Sequence, residues 1–171
     1  LQNIAITWIN YQDNINSSRG YGYGLNNEKL IYPASIVKLV YGLATYYWIK
    51  RKIIPYETEL SEAVYKMLHH SSNDATSYIL DTLTGTTSGP SLEGKSWNIW
   101  KYQRNIINDW LKEFRWNELS KFNCCQKTWE DGPFGREKVF YGLNNENRNS
   151  MSTDGTAKIM EEIMQNLNFE R

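Results

Sequence analysis

Ser35 and Lys38 stand three residues apart in the run YPASIVKL. On a helix that spacing turns both side chains to the same side. Leu39 and Val40 follow directly, so the lysine enters an apolar stretch. Burial disfavours the ammonium form and lowers a lysine's pKa. A neutral amine can then take the proton of a serine hydroxyl and make the oxygen a nucleophile. The free N–H groups at the helix start, with the positive end of its dipole, would stabilise an oxyanion. The pattern S-x-x-K arises roughly once by chance in a chain of average composition and this length, and here it occurs once. A serine at a helix start is most often an N-cap.

A second polar group follows 36 residues after Ser35, as Ser71, Ser72 and Asn73. It sets a hydroxyl and a carboxamide at a turn before a helix. Capping again accounts for the serines, with Asp74 in the first turn. Another S-x-N stands at Ser96–Asn98, so the pattern alone discriminates nothing.

These groups need elements to hold them. Ile4–Ile9 alternates and is rich in β-branched and aromatic residues, which predicts a strand. Asp13–Ser18 is turn-forming, and the Gly/Tyr alternation of Arg19–Leu25 suits a second strand paired with the first. A nearly apolar helix of about sixteen residues starts at Ser35 and reads as central. Further helices fit Glu57–His69, Asn73–Leu83, Ser96–Trp116 and a stretch from Thr153 to Leu167. Leu60, Val64, Met67 and Leu68 form the inner face of the first of these. Trp100, Ile106, Ile107, Trp110, Leu111 and Phe114 are the inner residues of the third. Asn117–Asn149 reads as a long irregular loop, of the kind that carries function. The hexapeptide YGLNNE occurs at Tyr23–Glu28 and Tyr141–Glu146 with unlike flanks, which indicates shared turn chemistry and no duplication.

The 171 residues suit one domain, and 19 basic against 19 acidic residues leave no net charge. No basic stripe points to nucleic acid, and no apolar run reaches the ~18 residues of a membrane span. Aromatic content of 14% favours a folded chain over a disordered one. Cys124 and Cys125 are adjacent, a geometry that rarely bridges. A zinc site from Cys124, Cys125, His69 and His70 is disfavoured, because neither pair has the usual gap between ligands.

Order and context carry further than either motif. YPASIVKL followed by SSNDATSYILDTLTG resembles the serine β-lactamase and penicillin-binding protein superfamily, most closely its class A β-lactamase-like serine hydrolases. MSTDGTAKIMEEI is similar to the Thr-capped helix after that family's active-site loop. The resemblance covers about Ile4 to Leu167 and is strongest at Tyr32–Leu39 and Ser71–Leu80. It implies an α+β, β-lactamase/transpeptidase-like domain over residues 1–171, with an N-terminal hairpin and a mainly helical region. It implies that Ser35 is acylated, that Lys38 is its base partner and that Ser71 shuttles a proton to the leaving nitrogen. Asn73 would bind the substrate's amide side chain, and the Ser35 N–H would form half of the oxyanion hole. Glu146, with Asn149 or Ser150 beyond it, stands near the place of the family's deacylating base; Glu130 and Glu137 are further candidates.

The implied substrates are β-lactams or related amides, with no cofactor and no metal. A D-Ala-D-Ala peptidase on a peptidoglycan-like substrate is the alternative, and a non-catalytic member kept for binding is another. The implied compartment is periplasmic or otherwise extracytoplasmic. The family's third motif, K-T-G on a strand, has only Lys127-Thr128-Trp129 as a counterpart, placed where the family has its loop. The chain stops at Arg171, where the family continues into that strand. The expectation is therefore an incomplete sheet, leaving the Ser35 helix uncovered unless a complementing chain supplies the strands.

Overall fold

The computed structural model describes residues 3–11 and 20–166. The turn expected at Asp13–Ser18, the start of the second strand at Arg19 and the end of the last helix at Leu167 lie outside these residues. The architecture is mixed α+β. Strands β1 (Ile6–Asn10) and β2 (Tyr21–Leu25) pair antiparallel, with Ile6 opposite Leu25 and Asn10 opposite Tyr21. The glycines of β2 have a steric cause: a Cβ on Gly22 would lie 1.8 Å from the Trp8 carbonyl oxygen.

The central helix begins later than its sequence suggests. Ala34–Ile36 forms a 3-10 turn, and α1 runs Val37–Lys50. Ser35 thus sits in the tight turn ahead of α1 and caps nothing. Val37, Val40, Tyr41, Leu43 and Ala44 of α1 are fully or almost fully buried. They pack against α2 (Thr58–His69), α3 (Asn73–Thr84) and α7 (Thr153–Asn166). Leu119, Phe122, Cys124 and Met151 join the same cluster, so α1 is covered from within the chain, and burying each large apolar side chain contributes about 1.5–3 kcal/mol. The expectation that α1 lacks cover without added strands is corrected on this point. Two grooves stay open near it, one of about 490 Å3 lined by Ile6, Ile31, Pro33, Ile36, Met151 and Met160, and one of about 400 Å3 lined by Leu39, Gly42, Tyr46, Leu60, Val64 and Leu68. On α2, Leu60 and Met67 are buried and Val64 partly so, whereas Leu68 is exposed.

The helix expected over Ser96–Trp116 is two helices, α4 (Gly94–Arg104) and α5 (Ile106–Glu113). Asn105 separates them, its side chain donating to the Lys101 carbonyl, a local bond that competes with helix continuation. The break serves two cores. Trp100 on α4 joins Cys125 and Phe140, while Ile107, Trp110 and Leu111 on α5 join the main cluster. Ile106 is exposed and Phe114 only partly buried.

The stretch expected to be irregular, Asn117–Asn149, holds a 3-10 turn at Asn117–Leu119 and a short helix, α6 (Gly135–Tyr141). Between them, residues 124–128 are buried without a strand partner. Buried backbone groups must still be paired, and asparagine side chains do this. Asn108 Oδ1 accepts from Cys124 N at 2.7 Å. Asn149 Oδ1 accepts from Cys125 N at 3.1 Å and Gln126 N at 2.9 Å, and its Nδ2 donates to the Gln126 carbonyl at 2.9 Å. Tyr41 of α1 donates its hydroxyl to that same carbonyl at 2.6 Å. The two YGLNNE copies differ in backbone: Asn26 is left-handed in the first, Asn145 in the second.

A buried ionic cluster locks this segment to α3 and α4. Arg104 Nη2 donates to Glu137 Oε1 at 2.6 Å and to Asp81 Oδ1 at 3.1 Å. Lys127 Nζ donates to Asp81 Oδ2 at 2.6 Å and to Ser88 Oγ at 2.8 Å. Removing one member of such a cluster leaves uncompensated buried charge. Arg104→Ala is therefore expected to lower unfolding stability by about 3–5 kcal/mol, read as a fall in the urea midpoint.

Candidate active site

The 3-10 turn and the α2–α3 junction bring the two polar motifs to one point. Lys38 lies one residue into α1 and is 3% exposed. Its Nζ meets Ser35 Oγ at 3.2 Å, Ser71 Oγ at 3.0 Å, the Ser71 carbonyl oxygen at 2.5 Å and Asn73 Oδ1 at 2.9 Å. Ser35 and Ser71 are exposed, so both hydroxyls are open to a ligand. The four expected residues Ser35, Lys38, Ser71 and Asn73 therefore share one cluster.

The two serines of the second motif divide the work. Ser72 Oγ accepts from Ala75 N at 3.2 Å and caps α3. Ser71 precedes it at φ 55°, in the left-handed region, with its carbonyl and hydroxyl on the Lys38 amine. Ala34, next to Ser35, is also left-handed, at φ 47°. Non-glycine residues held there cost about 1–3 kcal/mol each and gather at functional sites.

The partners of Lys38 suit both of its protonation states. The Ser71 carbonyl and Asn73 Oδ1 can only accept, whereas the two serine hydroxyls can accept or donate. A neutral amine donates to the first two and turns its lone pair to a hydroxyl. An ammonium donates to the same two and to one hydroxyl. No carboxylate pairs with Lys38 among the described residues, and desolvation holds its pKa below the ordinary 10.5. The arrangement can take a proton from Ser35 and return it through Ser71.

Thr128 belongs to this cluster and sequence reasoning passed over it. Its Oγ1 donates to Asn73 Oδ1 at 2.8 Å, the same oxygen that Lys38 uses. Both donors on one oxygen turn the Asn73 NH2 the other way, available to a carbonyl. The signal lay in Lys127-Thr128, read only against a strand motif. Thr128 instead reaches the site from the buried segment 124–128, anchored by the ion pairs of Lys127.

No protein-family model, curated protein or solved structure matches this chain.

No hydrogen bond or ion pair joins the remaining candidates to the cluster among the described residues. Glu146 is exposed, and its carboxylate accepts from the backbone N and side-chain Nδ2 of Asn144 at 3.1 Å each. The backbone N–H of Glu146 itself, followed by that of Asn144, holds its pKa below the usual carboxylate value. Glu137 is buried against Arg104, and Glu130 is exposed. The helix at MSTDGT is capped by Ser152, whose Oγ accepts from Gly155 N at 3.1 Å. The expected Thr cap, Thr153, instead bonds Thr7 Oγ1 of the hairpin at 2.9 Å. His69 stacks on Tyr65, with His70 edge-on to both. Cys124 and Cys125 are free and buried, and burial pushes the Cys125 thiol up to about 12. Among the described residues no three His, Cys, Asp or Glu side chains gather as a metal site.

Two measurements follow from this geometry. The folded pKa of Lys38 lies below its unfolded value, so between the two the unfolded chain binds the extra proton. Stability then rises with pH across that window. Lys38→Met removes that rise from a urea–pH series, and an unchanged slope in this variant contradicts the assignment. Thr128→Val keeps the shape and deletes one hydrogen bond, lowering stability by about 0.5–1.5 kcal/mol, and it leaves Asn73 Oδ1 held by Lys38 alone. The Asn73 side-chain NH2 resonances are expected to move toward the positions of an unrestrained asparagine in that variant.

Proposed function

We propose that the chain is a serine hydrolase of the β-lactamase and penicillin-binding type, acting on a carbon–nitrogen amide through acyl-Ser35. The observation that carries this reading is the Lys38 amine. It is buried, has no carboxylate partner among the described residues, and lies within hydrogen-bond reach of two exposed serine hydroxyls. In this reading Ser35 Oγ attacks the carbonyl carbon while its proton passes to neutral Lys38. The tetrahedral oxyanion is met by the Ser35 backbone N–H, as half of the oxyanion hole. As the C–N bond breaks, Ser71 gives its proton to the leaving nitrogen and is reprotonated by Lys38. Asn73 donates its NH2 to the amide on the acyl side.

The carboxylates favour a slow second half-reaction. Glu146 is engaged with Asn144 and Glu137 with Arg104. If neither Glu130 nor another carboxylate activates water, the acyl-enzyme persists, and the protein behaves as a penicillin-binding protein or a peptidase on D-Ala-D-Ala-like ends. The groove beside β1 is a place for an added strand to complete the sheet, if a complementing chain takes part. A non-catalytic member kept for binding is the outcome if acylation is absent.

Incubation with a fluorescent penicillin and mapping of the adduct test this directly. The expected result is one adduct on Ser35, absent in Ser35→Ala and slowed about 10²–10⁴-fold in Lys38→Met. An adduct elsewhere, or none with the protein folded, contradicts the proposal. Nitrocefin turnover distinguishes the two outcomes of deacylation: a single burst marks a penicillin binder, and steady turnover a β-lactamase.

A further inference from the structure

The hairpin meets α7 unequally on its two sides. Thr7 of β1 bonds Thr153 Oγ1 at 2.9 Å, so β1 lies directly on the helix. On the side where β2 pairs, the space between sheet and helix is lined by both strands and by the charged Asp154, Lys158 and Glu161. On the other side β1 has no strand neighbour among the described residues. Its edge there borders the groove of about 490 Å3, which Thr156, Ala157 and Met160 of α7 line together with Pro33 and Ile36. Met160 lines the second groove as well, and among the described residues no charged side chain lines either. In a chain that is 22% charged, the two grooves thus form one uncharged face.

The free edge of β1 carries none of the usual guards. Exposed edge strands are blunted by charge, proline or a bulge. Ile6–Asn10 reads ITWIN, without charge or proline, and its register with β2 runs unbroken from Ile6 to Asn10. The Thr7 bond and strand alternation turn Thr7 and Ile9 toward α7 and Ile6 and Trp8 away from it. Along this edge and groove Ile6, Trp8, Ile31, Ile36 and Met160 are 40–55% exposed. At on the order of 100 Å2 each, two copies bring together about 1,000 Å2 of apolar surface, the size that a specific interface must clear.

A second copy of the chain fits this edge better than a charged partner. Antiparallel pairing lets a strand meet its own copy about a two-fold axis, and such a contact uses one patch twice. With 19 basic and 19 acidic residues, two copies do not repel through net charge. The uncharged face offers nothing to an acidic or a basic partner. A two-fold axis through the sheet sets each β1 beside the groove of the other copy. Its Thr7 and Ile9 then face the open flank of the other copy's α7.

We propose that two copies of the chain associate through antiparallel pairing of their β1 edges, forming a four-stranded sheet in the order β2-β1-β1-β2 across two α7 helices. The added strand comes from the chain itself, and no other protein is needed. Pro33 and Ile36 line the groove and flank Ala34 and Ser35, so the added strand also covers the turn that holds Ser35. The pairing rests on the edge and the groove alone and stands apart from the acyl-transfer reading.

Sedimentation equilibrium of the full chain over a dilution series tests the pairing. The expected mass is twice the 20.1 kDa of one chain, falling to that of one chain on dilution. Ile6→Lys, at a half-exposed position, puts like charges onto the shared edge and is expected to weaken the dimer about tenfold or more. Leu68→Lys, on the second groove, leaves it unchanged. Amide exchange in the wild-type chain reads the same contact without a variant. The β1 N–H groups that do not bond β2 are expected to exchange slowly in concentrated solution and fast on dilution. A mass of one chain, or of more than two, at every concentration overturns the proposal. So does a dimer that Ile6→Lys leaves intact, one that Leu68→Lys disperses, or β1 exchange that ignores concentration. A dimer with no penicillin adduct on Ser35 overturns the hydrolase reading and leaves this one standing. An adduct on Ser35 in a chain that stays monomeric does the reverse.

Discussion

The site depends on a buried amine with no carboxylate paired to it among the described residues. Lys38 meets four oxygens, from Ser35, Ser71 and Asn73, and none is an acid. A carboxylate there would hold the ammonium charged and remove its use as a base. Asp81 and Glu137 pair with Arg104 and Lys127. The separation of acids from Lys38 is therefore as much a part of the site as the residues that touch it.

One helix links the two halves. Asn73 opens α3, and Asp81 lies eight residues further along it, about two turns on and on the same side. Asn73 binds Lys38 and Thr128, and Asp81 binds Lys127 next to Thr128. Carboxamide, threonine, lysine and aspartate thus form a closed loop of contacts through α3 and the segment 124–128, and the Lys38 amine of α1 is bonded to it at Asn73. Movement of any one member is resisted by the others, which gives Ser35 and Ser71 a fixed partner although both are exposed.

The hairpin, α2, α3 and the start of α7 were legible in the sequence within a few residues, because their apolar spacing and caps are local. The convergence of Ser35, Lys38, Ser71 and Asn73 was legible as order and context. The break at Asn105 was not, since Trp100 and Trp110 serve different clusters and only tertiary packing shows it. The buried segment 124–128 was not legible either. Its backbone is satisfied by the side chains of Asn108 and Asn149, long-range partners with no periodicity to announce them. Thr128 was lost with it. Ser71 and Ser72 were both readable as caps, and only the left-handed backbone at Ser71 separates the cap from the group that faces Lys38.

The central claim is that neutral Lys38 activates Ser35. The rate of Ser35 acylation by a penicillin, followed by intact mass across pH, tests it most directly. The account predicts a rate that climbs tenfold per pH unit and levels at the Lys38 pKa found by NMR, below 10.5, and a flattened profile in Lys38→Met. A pH-independent rate in the wild-type chain, or the same profile in Lys38→Met, would contradict it.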